Sequence, residues 1–173
     1  MTPYLVVPPA TMPVDLAALK AHLRVDGYTD NAQIEALQAG AVAMLDGWGG
    51  ALGRCILPQT WAIDVTGPGP HLLPFPDASD VAVTAEGGAL SSVQRNGALG
   101  VSVEVQDASA GQDITITAQY ALPDARRPAA EVLIKLIVGN WYENRESVVV
   151  GMSVNELPMA ANALISALRW FRV

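Results

Sequence analysis

The stretch Ile114-Thr115-Ile116-Thr117-Ala118-Gln119-Tyr120, the turn bracketed by Pro123 and Pro128, and the apolar run from Ala129 to Tyr142 lie in immediate succession. The first part alternates apolar and polar residues with a period of two, the pattern of a strand with one packed and one wet face. The last part has apolar residues around nearly its whole circumference, which a strand turn of this kind does not permit and a buried helix does. One short length of chain therefore switches from sheet to helix, and the fold must hold both.

Upstream of that switch, Thr60 to Val65, Val81 to Ala85 and Val101 to Val105 repeat the strand pattern between Gly67-Pro68-Gly69-Pro70, Glu86-Gly87-Gly88 and Asn96-Gly97. Before them the period is helical. Leu16, Leu19 and Leu23 mark a short amphipathic helix from Asp15 that stops near Gly27, and Asp30 reads as the N-cap of a second helix whose face is Ile34, Leu37, Ala41, Leu45 and Trp48. Pro158 opens a last helix running to about Trp170, with Met159, Leu164, Ile165, Leu168 and Phe171 as its stripe. Residues 1–13, with Pro3, Pro8, Pro9 and Pro13, read as an extended arm. The expected fold is α+β and mainly helical: a small bundle of about four helices with an antiparallel β-sheet inserted over 54–122, between the second and third helices. The whole of 1–173 is expected to form one domain, 158–173 being a C-terminal helix suited to docking.

On the long helix, Val132, Leu133, Leu136 and Ile137 can face the domain's own core. Ala130, Ile134 and Val138 then point elsewhere and call for a second partner, which a neighbouring subunit would supply.

The 173 residues carry 51% hydrophobic and 16% charged side chains, with a mean hydropathy of +0.28 and a net charge of −7. A chain of this size buries about 70% of its extended surface without staples, and its sparse charge suggests burial in an assembly. Residues 1–125 hold 13 acidic and 4 basic side chains (−9), and residues 126–173 hold 4 and 6 (+2). The acidic body argues against sequence reading or wrapping of nucleic acid, which needs clustered Lys and Arg. Cys55, the single cysteine, excludes an intrachain disulfide and a Cys-cluster zinc site. The N-terminus lacks the basic and apolar regions of a secretion leader, and no apolar run is long enough to span a membrane.

Chemical motifs are thin. His22 and Asp26 stand at i,i+4 without further ligands, Gly151-Met152-Ser153-Val154-Asn155 lacks the closing Gly of a nucleophile elbow, and there is no phosphate-binding Gly-Lys-Ser/Thr. The expectation is no catalytic, metal or cofactor site. Asp26, Asp30, Asp77, Asp80, Asp107 and Asp113 fall in turns, where carboxylates cap backbone amides. The four tryptophans have no basic residues interleaved and read as packing groups.

Three stretches in order, Leu16-Ala17-Ala18-Leu19-Lys20-Ala21-His22-Leu23-Arg24-Val25-Asp26, Gly53-Arg54-Cys55-Ile56-Leu57-Pro58-Gln59-Thr60-Trp61 and Trp141-Tyr142-Glu143-Asn144-Arg145-Glu146, resemble head-tail connector (adaptor) proteins of long-tailed bacteriophages and gene transfer agents. Such proteins often carry a Tyr-x-x-Gly-Tyr turn after the last strand, where this chain has Tyr120 followed by Ala121-Leu122-Pro123. The resemblance implies a homo-oligomeric ring, expected to be a dodecamer, beneath the portal protein of the capsid and joined to a tail or stopper protein. DNA would pass through its centre without sequence-specific binding. It implies a place in the neck of a virion or gene transfer agent particle assembled in the bacterial cytoplasm, with no enzyme activity, cofactor or membrane.

Ile134, Val138, Trp141, Tyr142 and Arg145 are the candidates for the subunit seam, with closure of the chain's own core as the competing role of Trp141 and Tyr142. Leu168, Trp170, Phe171 and Arg172 are candidates for docking on portal or tail, with Val148, Val149 and Val150 behind them. Two other readings stay open: a tail-completion or stopper protein of the same neck, and a small hydrolase using Ser153 or His22.

Overall fold

The computed structural model describes residues 2–97, 100–144 and 158–171. Their order is β1 (Tyr4–Val7), α1 (Leu16–Leu23), α2 (Asn31–Leu45), β2 (Gln59–Thr66), β3 (Gly69–Leu72), β4 (Ala78–Ala85), β5 (Gly88–Ala89), β6 (Ser92–Gly97), β7 (Gly100–Val105), β8 (Asp113–Tyr120), a 3-10 turn (Asp124–Arg126), α3 (Arg127–Glu143) and α4 (Met159–Leu168). Among the described residues, the four helices with the 3-10 turn make 34% helix and the eight strands make 30% strand. The expectation of a mainly helical chain with one inserted sheet is therefore corrected: the fold is α+β with a substantial β layer, built of two antiparallel sheets.

The larger sheet has the order β1-β2-β8-β4-β5 and the smaller β3-β7-β6. Its backbone is the eight-residue ladder from Gln59↔Tyr120 to Thr66↔Asp113, with β4 on the other side of β8. Alternation in β7 and β8 puts Val101, Val103, Val105, Ile114, Ile116, Ala118 and Tyr120 inside. They meet Ile63, Val65, Leu73, Phe75 and Val83 in one core between the sheets, as the period-two pattern requires. The strands missing from the sequence reading carry no such pattern. Pro70 interrupts β3, β6 is exposed at five of its six residues, and β1 belongs to the Pro-rich arm rather than to the insertion.

A second core lies among the helices: Leu19 of α1, Ile34, Ala41 and Leu45 of α2, Ala130, Leu133, Ile134, Ile137 and Val138 of α3, and Ala161 and Leu168 of α4. The stripe on α2 ends at Leu45. Trp48, expected to continue it, instead packs on the sheet core with its ring edge-on to Phe75, centroids 6.3 Å apart.

Candidate functional site

The turn after α2 couples the two cores. Gly47 N–H donates to the Arg54 carbonyl at 3.0 Å, and Ala51 and Leu52 donate back to Met44 and Leu45 at 2.8 and 3.1 Å. A Cβ on Gly50 would stand 2.3 Å from the carbonyl oxygens of both Leu45 and Asp46, so only glycine fits this turn. Asp46 caps the arrangement: its carboxylate accepts from Ile56 N–H at 2.6 Å and from Gln59 Nε2 at 2.8 Å, and Gln59 Oε1 accepts from Trp61 Nε1 at 2.9 Å. Burial pushes the Asp46 carboxyl above the usual carboxylate range, opposed by these hydrogen bonds.

Arg54 ties a third element to the same turn. It is buried, with Nη2 3.0 Å from Asp77 Oδ2 and Nη1 donating to the Leu168 carbonyl at 3.2 Å. Burial shifts both partners toward neutrality, lowering the guanidinium and raising the carboxyl, while their mutual attraction opposes each shift. Geometry shows a formed pair joining the sheet side at Asp77 to the end of α4. Asp77 was expected to cap a turn, and the buried partner that overrides this role is 23 residues away. The adjacent Cys55 is 1% exposed, and burial pushes its thiol far up, with the Asp46 and Asp77 carboxylates adding to the shift. Such a thiol is an inert packing group rather than a nucleophile.

The C-terminal segment is strapped across this joint. Trp170 N–H donates to the Leu52 carbonyl at 2.8 Å, and Gly53, at φ +60°, leaves the space where a Cβ would lie 2.8 Å from the Trp170 carbonyl oxygen. Of the docking candidates, Leu168 is buried in the helical core, Trp170 is half-buried at the joint, and Phe171 is 64% exposed with the Arg169 guanidinium 4.8 Å from its ring centroid. Val148, Val149, Val150 and Arg172 lie outside the described residues.

Among the seam candidates, Ile134 and Val138 are fully buried, together with Ala130. The expectation that these three point away from the chain's own core is corrected: α3 packs against α1, α2 and α4 and needs no second chain to cover that side. Trp141 packs on the same core near Gly40 of α2, and the Tyr142 hydroxyl donates to Asp30 Oδ2. Asp30 does stand at the N-cap of α2, but its side chain makes no cap bond there. Arg145, like Ser153, lies outside the described residues. His22 is exposed on α1, near Gly139 of α3, and His71 Nε2 is 3.0 Å from the Gly67 carbonyl. The described residues hold no group of three or more His, Cys, Asp or Glu placed for a metal ion, and no helix among them is long and apolar enough to cross a membrane.

Among the described residues, β1 and the groove beside it present exposed apolar surface. All four residues of β1 are 44–53% exposed, and the following residues Pro9 to Pro13 bound an open groove of about 660 Å³ against Val42 and Ala43 of α2, Trp48, Leu57 and Trp61. On the same edge the Tyr4 hydroxyl donates to Asp64 Oδ1 at 3.3 Å; partial desolvation and then the negative charge of Asp64 raise the phenol above its ordinary range, and Thr115 Oγ1 donates to the same oxygen at 2.8 Å. The sequence signal for this surface was present in the prolines and in the uncharged Tyr4-Leu5-Val6-Val7, but not its location on β2.

No family model matches the chain, and no curated protein does. Among solved structures it is similar to a chain in the neck of an empty gene transfer agent particle computed with C6 symmetry, with a TM-score of 0.70 and 18% identity over 100% of this chain and 97% of that one. It is also similar to a chain in the virion of a native gene transfer agent particle, with a TM-score of 0.67 and 19% identity over the same shares. At these identities the likeness is one of fold.

Proposed function

We propose that the chain is a structural protein of a particle neck, a homo-oligomeric ring that sits beneath the portal, joins it to the tail and leaves a central channel for DNA. The observation that carries this reading is the full-length likeness to a neck component of a gene transfer agent particle, with neither chain leaving a domain over. The sequence stretches that resemble head-tail connectors map onto parts of the fold with structural work to do: α1, the coupling turn with Arg54, and the end of α3.

On this reading the protein acts by adhesion and makes no bond. Phe171 with Arg169 over its ring is the docking element for portal or tail, because aromatic and Arg anchors dominate interface energetics. A net charge of −7 suits a passage for DNA, since like charge avoids the brake that many phosphate contacts would apply. The sixfold symmetry of the related neck admits rings of six or of twelve, and twelve is the copy number proposed here.

Native mass measurement of the purified chain, with electron-microscopy class averages of necks from producing cells, tests this. The expected result is a hollow ring of twelve copies that binds the portal protein in a pull-down and co-sediments with particles. A chain that stays monomeric at high concentration and is missing from particles overturns it.

A further inference from the structure

We propose that β1 is an exchangeable strand: in the assembled oligomer, Tyr4–Val7 of each copy leaves its own β2 and pairs with β2 of the neighbouring copy. This rests on the ring reading above and adds the element that links one subunit to the next. The occupant of the β2 edge is thereby a second copy of this chain, because the edge already binds that same sequence within one chain, in the register Tyr4↔Ala62, Leu5↔Trp61 and Val7↔Thr60.

Three observations carry it. First, β1 is bound almost wholly by its ladder. None of its four residues belongs to either core, Leu5 only borders the open groove beside α2, and the one side-chain hydrogen bond described for them runs from Tyr4 to Asp64 of β2. Every one of these contacts is remade identically when the strand comes from another copy, so exchange changes the chain of origin and not the contacts. Pro3, the one buried residue among 2–13, would be reburied in the same way.

Second, the six residues from Pro8 to Pro13, between β1 and Val14, form a suitable hinge; Val14 is fixed in the helical core, 4% exposed, with its carbonyl accepting from Gln38 Nε2 at 2.6 Å, and stays with its own copy. They contain Pro8, Pro9 and Pro13, which favour extended backbone over a tight return. Fully extended they reach about 20 Å, enough to pass from one copy to a directly adjoining one. Third, the hinge is not packed down. Pro9, Ala10, Thr11, Met12 and Pro13 stand over the open groove of about 660 Å³ beside α2, and Met12 is half exposed. Moving the arm ahead of Val14 therefore opens no sealed core.

Paired cysteines at facing ladder positions distinguish the two origins of the strand. The variants are Tyr4→Cys with Ala62→Cys, and Val7→Cys with Thr60→Cys, the second guarding against poor disulfide geometry or misfolding in the first. Cys55 is buried and can stay. Each protein is purified, separated into oligomer and any monomer, oxidised, and run on a denaturing gel without reductant. Exchange predicts covalent ladders of two and more copies from the oligomer of at least one pair, removed by reductant, with only single-copy species from a monomer fraction. An oligomer that yields no link between copies in either pair overturns the exchange while leaving the ring reading standing. A chain that is monomeric throughout, with links only inside one copy, overturns both.

Discussion

The helical core and the sheet core of this protein are made of different materials. The helical core is aliphatic: its buried residues are Leu, Ile, Val and Ala drawn from the four helices and from Val14, Leu52, Ile56 and Leu122 in the segments beside them. The sheet core is aromatic at its centre, where Phe75 stands edge-on to Trp61 and Tyr120 with centroids 5.3 and 5.0 Å apart, and it is drawn from a continuous middle section. Helices interlock through small branched side chains on narrow stripes, whereas two short sheets with few residues each gain most from large flat groups that span the gap. Holding the two together falls to a handful of polar contacts around residues 46 to 59.

The sharpest way to break this comparison is to hollow out each core separately. Phe75→Ala and Leu133→Ala should each cost about 3–4 kcal/mol. If the joint couples the cores, both variants lower the midpoint of one common urea transition read by far-ultraviolet dichroism and by tryptophan fluorescence. Two transitions, each moved by one variant only, would show that the cores unfold independently. Next in size is Arg54→Gln, which leaves Asp77 without its cation and the Leu168 carbonyl without its charged donor, at about 3 kcal/mol. This variant should split the single transition in two, because it cuts the coupling and neither core.

Gly53→Ala is expected to cost about 1–2 kcal/mol, since alanine is strained at φ +60° and its Cβ meets the Trp170 carbonyl. Its signature is local: faster amide exchange and carboxypeptidase trimming at residues 168–171, with both cores intact. The smallest effect is the pH dependence from Asp46. Its folded carboxyl holds its proton above the ordinary 3.8, so unfolding releases a proton in the window just above that value. Stability then falls as pH rises through the window and is greatest below it. Replacing Asp46 by Asn should flatten that part of the stability profile, measured by urea midpoints at successive pH values.

What could be read from the sequence follows the same division. The four helices were legible because their stripes repeat at helical spacing, and the strands around Ile63, Val83, Val103 and Ile116 because they alternate. Strands lying at the rim were not, since a strand exposed on both faces, such as β1 or β6, has no reason to alternate. For α3 the apolar circumference was visible, but a helical wheel shows only that a second face needs covering. That α1, α2 and α4 between them cover it, across long separations in sequence, is a tertiary fact. The joint was the least legible part: Gly53-Arg54 stood out as a motif, yet nothing local to it points to Asp77 or to Leu168, which is 114 residues away.

That long separation bears on how the molecule comes into being. As the polypeptide leaves the ribosome, β2 through β8 can close their ladders once Tyr120 has emerged, but α1 and α2 must wait for α3 and α4, and the latch at Leu52 waits for Trp170. The middle of the chain therefore matures before its beginning does, and a translation pause beyond residue 120 would leave two greasy helices without a home.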